Sequence, residues 1–221
     1  MDDAPAFPDG SVWVRTEPVT FLFDHARPYH AHGWHQLTFA LRGHLEVESD
    51  DARALVPPDC AVWVPAGLVH REAMWAPVTV RTLYLAPGAM PDAPSRTRTV
   101  AISPLLRELI VHVSAIGSLD RDQPRQGHLV DVLVDLLQAT PDVGLRLPTP
   151  RDPRARRLAA LVQASPGART PIAELARQSG GSLRTIERCF RLDTGLSVGE
   201  CRRSFRLFHA LRLLEGGAPV A

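Results

Sequence analysis

Between Ser11 and Ala86 the apolar residues come in short runs: SVWVRTEPVTFLF, HQLTFALRG, HLEVES, ARALVP, CAVWVPA and VTVRTLYLA. Gly, Pro and Asp separate them, and none keeps a helical period. Runs of this length, rich in Val, Phe, Leu and Trp and bounded by turn formers, read as strands. Six of them without an intervening helix point to a β-sandwich or small barrel. All four tryptophans (Trp13, Trp34, Trp63 and Trp75) fall in this stretch. They are expected to be the large apolar pieces of one core.

Past residue 100 the period changes. Ser103-Pro104 is a cap followed by a proline suited to a first helical turn, and Leu105, Leu106, Leu109, Ile110, Val113 and Ile116 then recur at helical spacing. Gly117 and the DRDQP turn end that helix. A second, from about Arg125 to Gln138, carries Leu129, Val132, Leu133, Leu136 and Leu137. Two such helices after a barrel either cover its open edge or pair two subunits. Pairing is the favoured expectation, with Leu106, Leu109, Ile110 and Val113 as the seam. Residues 140–153 are proline-rich and unpatterned, a linker. A helix from Arg154 to Ala164 follows. The expected fold class is therefore α+β, strands first and helices after. Its divisions are a barrel over 1–100, a helical dimerisation segment over 101–140, a linker over 141–153 and a helical region over 154–221.

Charge divides the same way. From Arg151 onward 13 arginines face six acidic residues, a net +7, whereas the preceding part has 12 basic against 18 acidic residues, a net −6. A basic segment joined to an acidic one fits a nucleic-acid reader attached to something else. No lysine occurs, so every basic side chain is arginine. The three cysteines, Cys60, Cys189 and Cys201, lack metal-like spacing and read as buried thiols in a reducing compartment. No run has the length of a membrane helix, and the acidic, proline-bearing start MDDAPAFPDG is unlike a signal peptide. A cytoplasmic protein is the expectation.

Two groups of residues carry chemistry. In the barrel, His30, His32 and Gln36 lie at even spacings and can share a face. A turn at Pro65–Gly67 can bring His70 across to them. Three imidazoles and a side-chain oxygen suit a divalent transition metal such as Zn, Ni or Fe. The alternative is a metal-free, histidine-lined pocket. His35 falls on the opposite face. In the C-terminal region, Thr170 and Pro171 open a short helix with Ile172, Leu175 and Ala176 on one side. Gly180-Gly181 breaks it, and Ser182 caps a second helix whose Leu183, Ile186 and Phe190 face the first. Its other face carries Arg184, Thr185, Glu187, Arg188 and Arg191. This is either a helix-turn-helix with its recognition helix second or an ordinary helical hairpin with a solvated face.

The stretch SLRTIERCFRLDTGLS resembles the first helix-turn-helix of the AraC/XylS family of bacterial transcription regulators. The likeness continues through Arg202, Leu207, Ala210 and Leu214, a segment similar to the family's long linker helix, expected here from Val198 to Glu215. Phe205, Phe208, Leu211 and Leu214 would form its apolar side, and Cys201 stands where relatives tend to have a large aromatic. The pattern H-x-H-x-x-x-Q with a later Gly43, then P-x-G-x-x-H, resembles the two cupin motifs, and a cupin sensor is what such regulators often carry. Gln36 stands where metal-binding cupins usually have glutamate, and Asp59 where they have glycine. The resemblance implies a ligand- or metal-responsive regulator that pairs as a homodimer, takes a small-molecule effector and reads DNA through Ser182, Arg184, Thr185, Glu187, Arg188 and Arg191. Arg188 matches a base-contacting position and Arg191 reads as a phosphate contact. The family continues with a second helix-turn-helix, so this chain reads as truncated before it, with weak DNA binding as the consequence. Two other readings stand beside this one: a metal-dependent cupin enzyme, such as a dioxygenase or isomerase, and a dimerising decoy. No catalytic residues are assigned.

Overall fold

The computed structural model describes residues 10–50, 52–144 and 146–215. They fall into two compact units, one ending at Arg146 and one beginning at Leu147, with Ala52 and Arg53 grouped with the second.

The first unit is an antiparallel sheet followed by two helices. Its strands are β1 (Val12–Phe21), β2 (His25–Ala26), β3 (His35–Ser49), β4 (Ala52–Val56), β5 (Cys60–Val64), β6 (His70–Leu85), β7 (Arg98–Ala101) and β8 (Ser118–Asp120). The sheet runs β7-β5-β3-β6-β1-β8, with β2 paired to β6 and β4 to β3. Two of these strands are longer than their apolar runs. HQLTFALRG and HLEVES are one strand, because Gly43 sits at a bulge rather than at a turn: the register against β6 shifts between Ala40 and Arg42 and again between Arg42 and His44. Gly43 has φ +72°, and a Cβ there would lie 2.6 Å from the Pro77 carbonyl oxygen, so the bulge requires glycine. Strand β6 starts eight residues before the run VTVRTLYLA, at His70. The short strands β7 and β8 lay outside every run read as a strand.

Each face of this sheet builds a separate core. Leu37 and Phe39 of β3, Ala61 and Trp63 of β5, and Leu83 and Leu85 of β6 pack with helix α1 (Pro104–Ile116) and helix α2 (Pro124–Ala139). The other face gathers Ala40, Leu45, Val47, Ala54, Val56, Val62, Val64, Met74, Val78 and Val80 with no helical residue among them, so the sheet packs on itself as a barrel does. The bulge at Gly43 explains the parity: Ala40 before it and Leu45 after it share a face although they are five residues apart. The tryptophans do not make one core. Trp63 belongs to the helix-covered cluster, Trp13 lies against its edge, Trp34 is buried outside both clusters, and the side chain of Trp75 lies outside the described residues.

Helix α1 opens as its cap predicts: Ser103 Oγ accepts from the Leu106 amide, Pro104 occupies the first turn, and Gly117 closes the helix at φ 94°. Its apolar stripe turns inward. Leu106, Ile110 and Val113 are fully buried in the unit's own core, and Leu109 packs against it. Three of the four side chains expected at a dimer seam are therefore buried within one chain and Leu109 partly so, and α1 and α2 pack on the sheet. An amphipathic stripe demands burial without saying against what.

The second unit is helical. Helix α3 (Pro153–Ala164) is capped by Asp152, whose carboxylate accepts from the Arg154 and Ala155 amides. Helices α4 (Ile172–Gln178), α5 (Leu183–Thr194) and α6 (Val198–Glu215) follow. Ala155, Leu158, Val162, Leu175, Ala176, Ile186, Phe190, Val198, Cys201, Phe205 and Phe208 form the buried set. Side chains of Leu211 and Leu214 lie outside the described residues. Arg157 donates to the Ser179 carbonyl, which fixes α3 to the end of α4. Ser197 and Glu200 cap α6 reciprocally: Ser197 Oγ accepts from the Glu200 amide, and Glu200 Oε2 accepts from the Ser197 amide at 2.7 Å.

Candidate functional site

His30, His32 and His70 converge, with one ring nitrogen of each within 4.8 Å of the others. They come from two stretches stitched together by backbone bonds. His30 and His70 form an antiparallel bridge, N–H to carbonyl in both directions at 2.9 Å. The turn before His70 is pinned as well, since the Gly67 amide donates to the His32 carbonyl at 2.8 Å, with Gly67 at φ 79°. The three histidines and Gln36 thus meet as the spacing predicts, although residues 31–34 are irregular rather than a strand. His35 points to the other face, where it stacks on Trp63 at 4.9 Å and its Nδ1 accepts from the Ala66 amide.

The protonation pattern follows from the partners. His30 Nδ1 lies 3.0 Å from the Pro28 carbonyl, His32 Nδ1 2.7 Å from that of Trp34, and His70 Nδ1 2.9 Å from that of Leu68. A carbonyl oxygen only accepts, so Nδ1 of each ring is a donor, and Nε2 of His32 and of His70 is the nitrogen that faces Gln36. Burial pushes the His70 imidazole down to about 4, which keeps it neutral at pH 7. Backbone oxygens holding Nδ1 are also the partners that orient ligating histidines in metal sites.

Gln36 completes the set. Its Oε1 lies 2.8 Å from His32 Nε2 and 3.2 Å from His70 Nε2. The amide cannot rotate to offer its NH2 instead, because Nε2 donates to Glu72 Oε1 at 2.7 Å and to Thr38 Oγ1 at 2.9 Å. Thr38 in turn donates to Glu72 Oε1 at 2.9 Å. Ring nitrogens of the three histidines and the Gln36 carbonyl oxygen therefore converge, an arrangement that a divalent cation would bridge. Nitrogen and carbonyl-oxygen donors of this kind fit Zn, Ni or Fe.

Sequence reasoning missed the support beneath. Glu72 is buried, two residues along β6 from His70 and on the same face, and that alternation is the signal that would have found it. The Arg27 guanidinium lies 3.8 Å from Glu72 and donates to Glu17 at 2.6 Å. Burial opposes its charge, but the Glu17 hydrogen bond and the Glu72 and Glu17 charges outweigh that and raise its pKa. Tyr84 donates to Glu17 at 3.1 Å and sits edge-on to His32. Asp59, standing where the resemblance implies glycine, adopts φ 64°, and its carboxylate is held by Arg107 at 2.8 Å. Asparagine and aspartate tolerate that left-handed conformation better than other residues with a side chain.

In the second unit, α4 and α5 are the expected pair of helices. The cap of α4 falls one residue late, on Pro171 without a side-chain bond, and Thr170 instead gives its carbonyl to Arg202 at 2.7 Å. Gly180 makes the turn at φ +84°, and a Cβ on Gly181 would press on Ile186 at 3.1 Å. Ser182 caps α5 by accepting from the Thr185 amide, and the two hydroxyls lie 3.0 Å apart. Ile186 and Phe190 are fully buried, whereas Leu183 is 38% exposed. Glu187 is half-buried, and its carboxylate accepts from the Val198 amide at the start of α6. Arg184, Arg188 and Arg191 are exposed, and among the described residues no hydrogen bond or ion pair engages them.

Comparison with known proteins bears on both units. Residues 23–147 match the family model described as the AraC-like ligand binding domain. Over 193 residues the chain is 32% identical to the HTH-type transcriptional regulator NimR of Escherichia coli K12, which spans 87% of this chain and 70% of that protein. The chain belongs to the AraC family. Likenesses to solved structures are weaker. ToxT from Vibrio cholerae strain SCE256, solved with an unsaturated fatty acid bound, aligns at TM-score 0.42 and 10% identity over 96% of this chain and 84% of that one. A cupin superfamily protein from Desulfitobacterium hafniense DCB-2 aligns at TM-score 0.32 and 20% identity over 37% and 72%. This is an AraC-family regulator with an N-terminal sensor domain. No described helix is long and apolar enough to cross a membrane.

Proposed function

We propose that this AraC-family chain is a cytoplasmic, ligand- or metal-responsive regulator that reads DNA with α5 and senses through the histidine cluster of its first unit. The observation that carries the DNA reading is the division of labour on α5. Ser182 and Thr185 close the helix start and Glu187 holds α6, so their polar groups have structural work. Arg184, Arg188 and Arg191, at spacings of four and three, form one exposed stripe that no hydrogen bond or ion pair engages among the described residues, Arg191 only adding its field at Glu200. A stripe of guanidinium groups on the second helix of such a pair is suited to a major groove, where arginine binds guanine O6 and N7 in parallel. Arg202 and Arg206 are not part of this surface, for they donate to the carbonyls of Pro166, Ala168 and Thr170.

For the sensor, the support is the four converging side chains. His30, His32, His70 and Gln36 would hold one divalent transition metal, and Gln36 adds no charge to the set. A metal bound there would polarise an effector oxygen or fix the bridge between the two stretches that carry the histidines. A homodimer would supply the second half-site. With the inner stripe of α1 consumed, its seam belongs on the outer side of that helix, where Leu105 is 63% and Ile116 42% exposed. Elemental analysis of the purified protein, set against the His32→Ala/His70→Ala double variant, tests the sensor. Equal metal in both proteins would contradict it.

A further inference from the structure

A cavity of about 510 Å³, open to solvent on one side, lies beside His35. Its walls are Pro65, Leu68, Pro87, Met90 and Pro94, with His35 at one side. That volume is in the range that takes a small molecule, and the walls are rigid pyrrolidine rings and a thioether. His35 is 9% exposed, and its Nδ1 accepts from the Ala66 amide at 3.0 Å. The neutral ring therefore carries its proton on Nε2, a solvent-accessible donor that no hydrogen bond engages among the described residues. No Asp, Glu or Arg lines the cavity. A carboxylate would meet no opposite charge there, whereas a carbonyl would accept from the imidazole N–H on a largely apolar wall.

The same turn serves both sites. Pro65–Leu68 forms a wall of the cavity. Its other side holds the cluster, through the Gly67 amide on the His32 carbonyl and the Leu68 carbonyl on His70 Nδ1. We propose that this cavity is a binding site for an uncharged, largely apolar molecule bearing a carbonyl acceptor for His35, and that occupancy is transmitted to His32 and His70 through the Pro65–Leu68 turn. The binding half stands without the metal reading, and only the direction of the signal rests on the cluster being the sensor.

The test is a nuclear magnetic resonance titration of the whole chain in the presence of a chelator, which makes the result independent of metal. The probes are acetophenone, ethylbenzene and benzoate: acceptor, no acceptor, charged acceptor. Acetophenone is expected to shift the Ala66 and Gly67 amides and the Met90 methyl saturably, with a Kd of about 1 mM or tighter, and to move the His70 imidazole signals with the same curve. Ethylbenzene and benzoate should each bind about tenfold or more weakly. In His35→Phe, which keeps a ring beside Trp63, acetophenone and ethylbenzene should become equal. Four outcomes would overturn the proposal: no saturable shift, benzoate binding as well as acetophenone, saturation that leaves His70 unmoved, or an acetophenone preference that survives in His35→Phe. The wild-type probe series decides by itself if that variant does not fold.

Discussion

Gln36 decides what the histidine cluster is, and Glu72 decides what Gln36 presents. With its amide NH2 held by Glu72 and Thr38, the glutamine can offer only oxygen to His32 and His70. Were the amide reversed, its NH2 would face the two rings and offer a cation no oxygen. Supporting residues of this kind typically cost 10–100-fold in metal affinity when changed. Zinc titration of Glu72→Gln should show a loss of that size, and an unchanged affinity would remove Glu72 from the account. Gln36→Glu should act in the opposite direction, tightening zinc by adding a charge to the set, provided the new carboxylate escapes the repulsion of Glu72. Comparing Gln36→Glu with Gln36→Glu/Glu72→Gln by calorimetry reads that repulsion, and the double variant should bind more tightly than the single one.

Among the elements, α1 separates two kinds of apolar residue that a sequence pattern cannot. Leu106, Leu109, Ile110 and Val113 share the helical period with Leu105 and Ile116, but the first group is under the sheet and the second in solvent. Ile110→Asp should therefore cost the fold, with burial of an unpaired charge far outweighing any loss of association. Leu105→Glu with Ile116→Glu should leave the unfolding midpoint within about 0.5 kcal/mol of wild type while shifting sedimentation toward monomer. A dimer unaffected by that pair would put the seam elsewhere. Caps and breakers were legible: Ser103, Gly117, Ser182 and the start of α6 follow from local chemistry. The register of long strands was not, because Gly43 reads as a turn until Pro77 is seen packed against it, and Pro77 hides the continuity of β6. The histidines were found because their spacing on either side of a turn is a local fact. Glu72 was missed because a carboxylate in a strand is ordinarily solvated, and only the partner strand shows it buried.

Helix α6 carries a pH signature of its own. Burial pushes the Cys201 thiol up to about 12 from its ordinary 9.0. The unfolded chain thus releases this proton at lower pH than the folded one. The contribution is constant below pH 9 and is lost as pH rises from 9 toward 12. In denaturant midpoints measured across that range, Cys201→Ala should show a shallower alkaline decline than wild type. Parallel declines would mean that Cys201 is solvated.

At the scale of the whole molecule, charge and chemistry are apportioned between the units: a net −6 before Arg151 and +7 from there on. The acidic part holds the buried polar cluster, and in the basic part no hydrogen bond or ion pair engages Arg184, Arg188 or Arg191 of α5 among the described residues. DNA reading by that stripe is the central claim, and one comparison tests it most directly. Duplexes would be selected from a random pool by the wild-type chain and then ranked by affinity at several salt concentrations for wild type, Arg188→Ala and Arg191→Ala. The account predicts that Arg188→Ala loses about 1–3 kcal/mol on the selected site and relaxes base preference at one position. Arg191→Ala should weaken all duplexes alike and flatten the salt slope by about one. A ranking that Arg188→Ala leaves unchanged would contradict α5 as the reader.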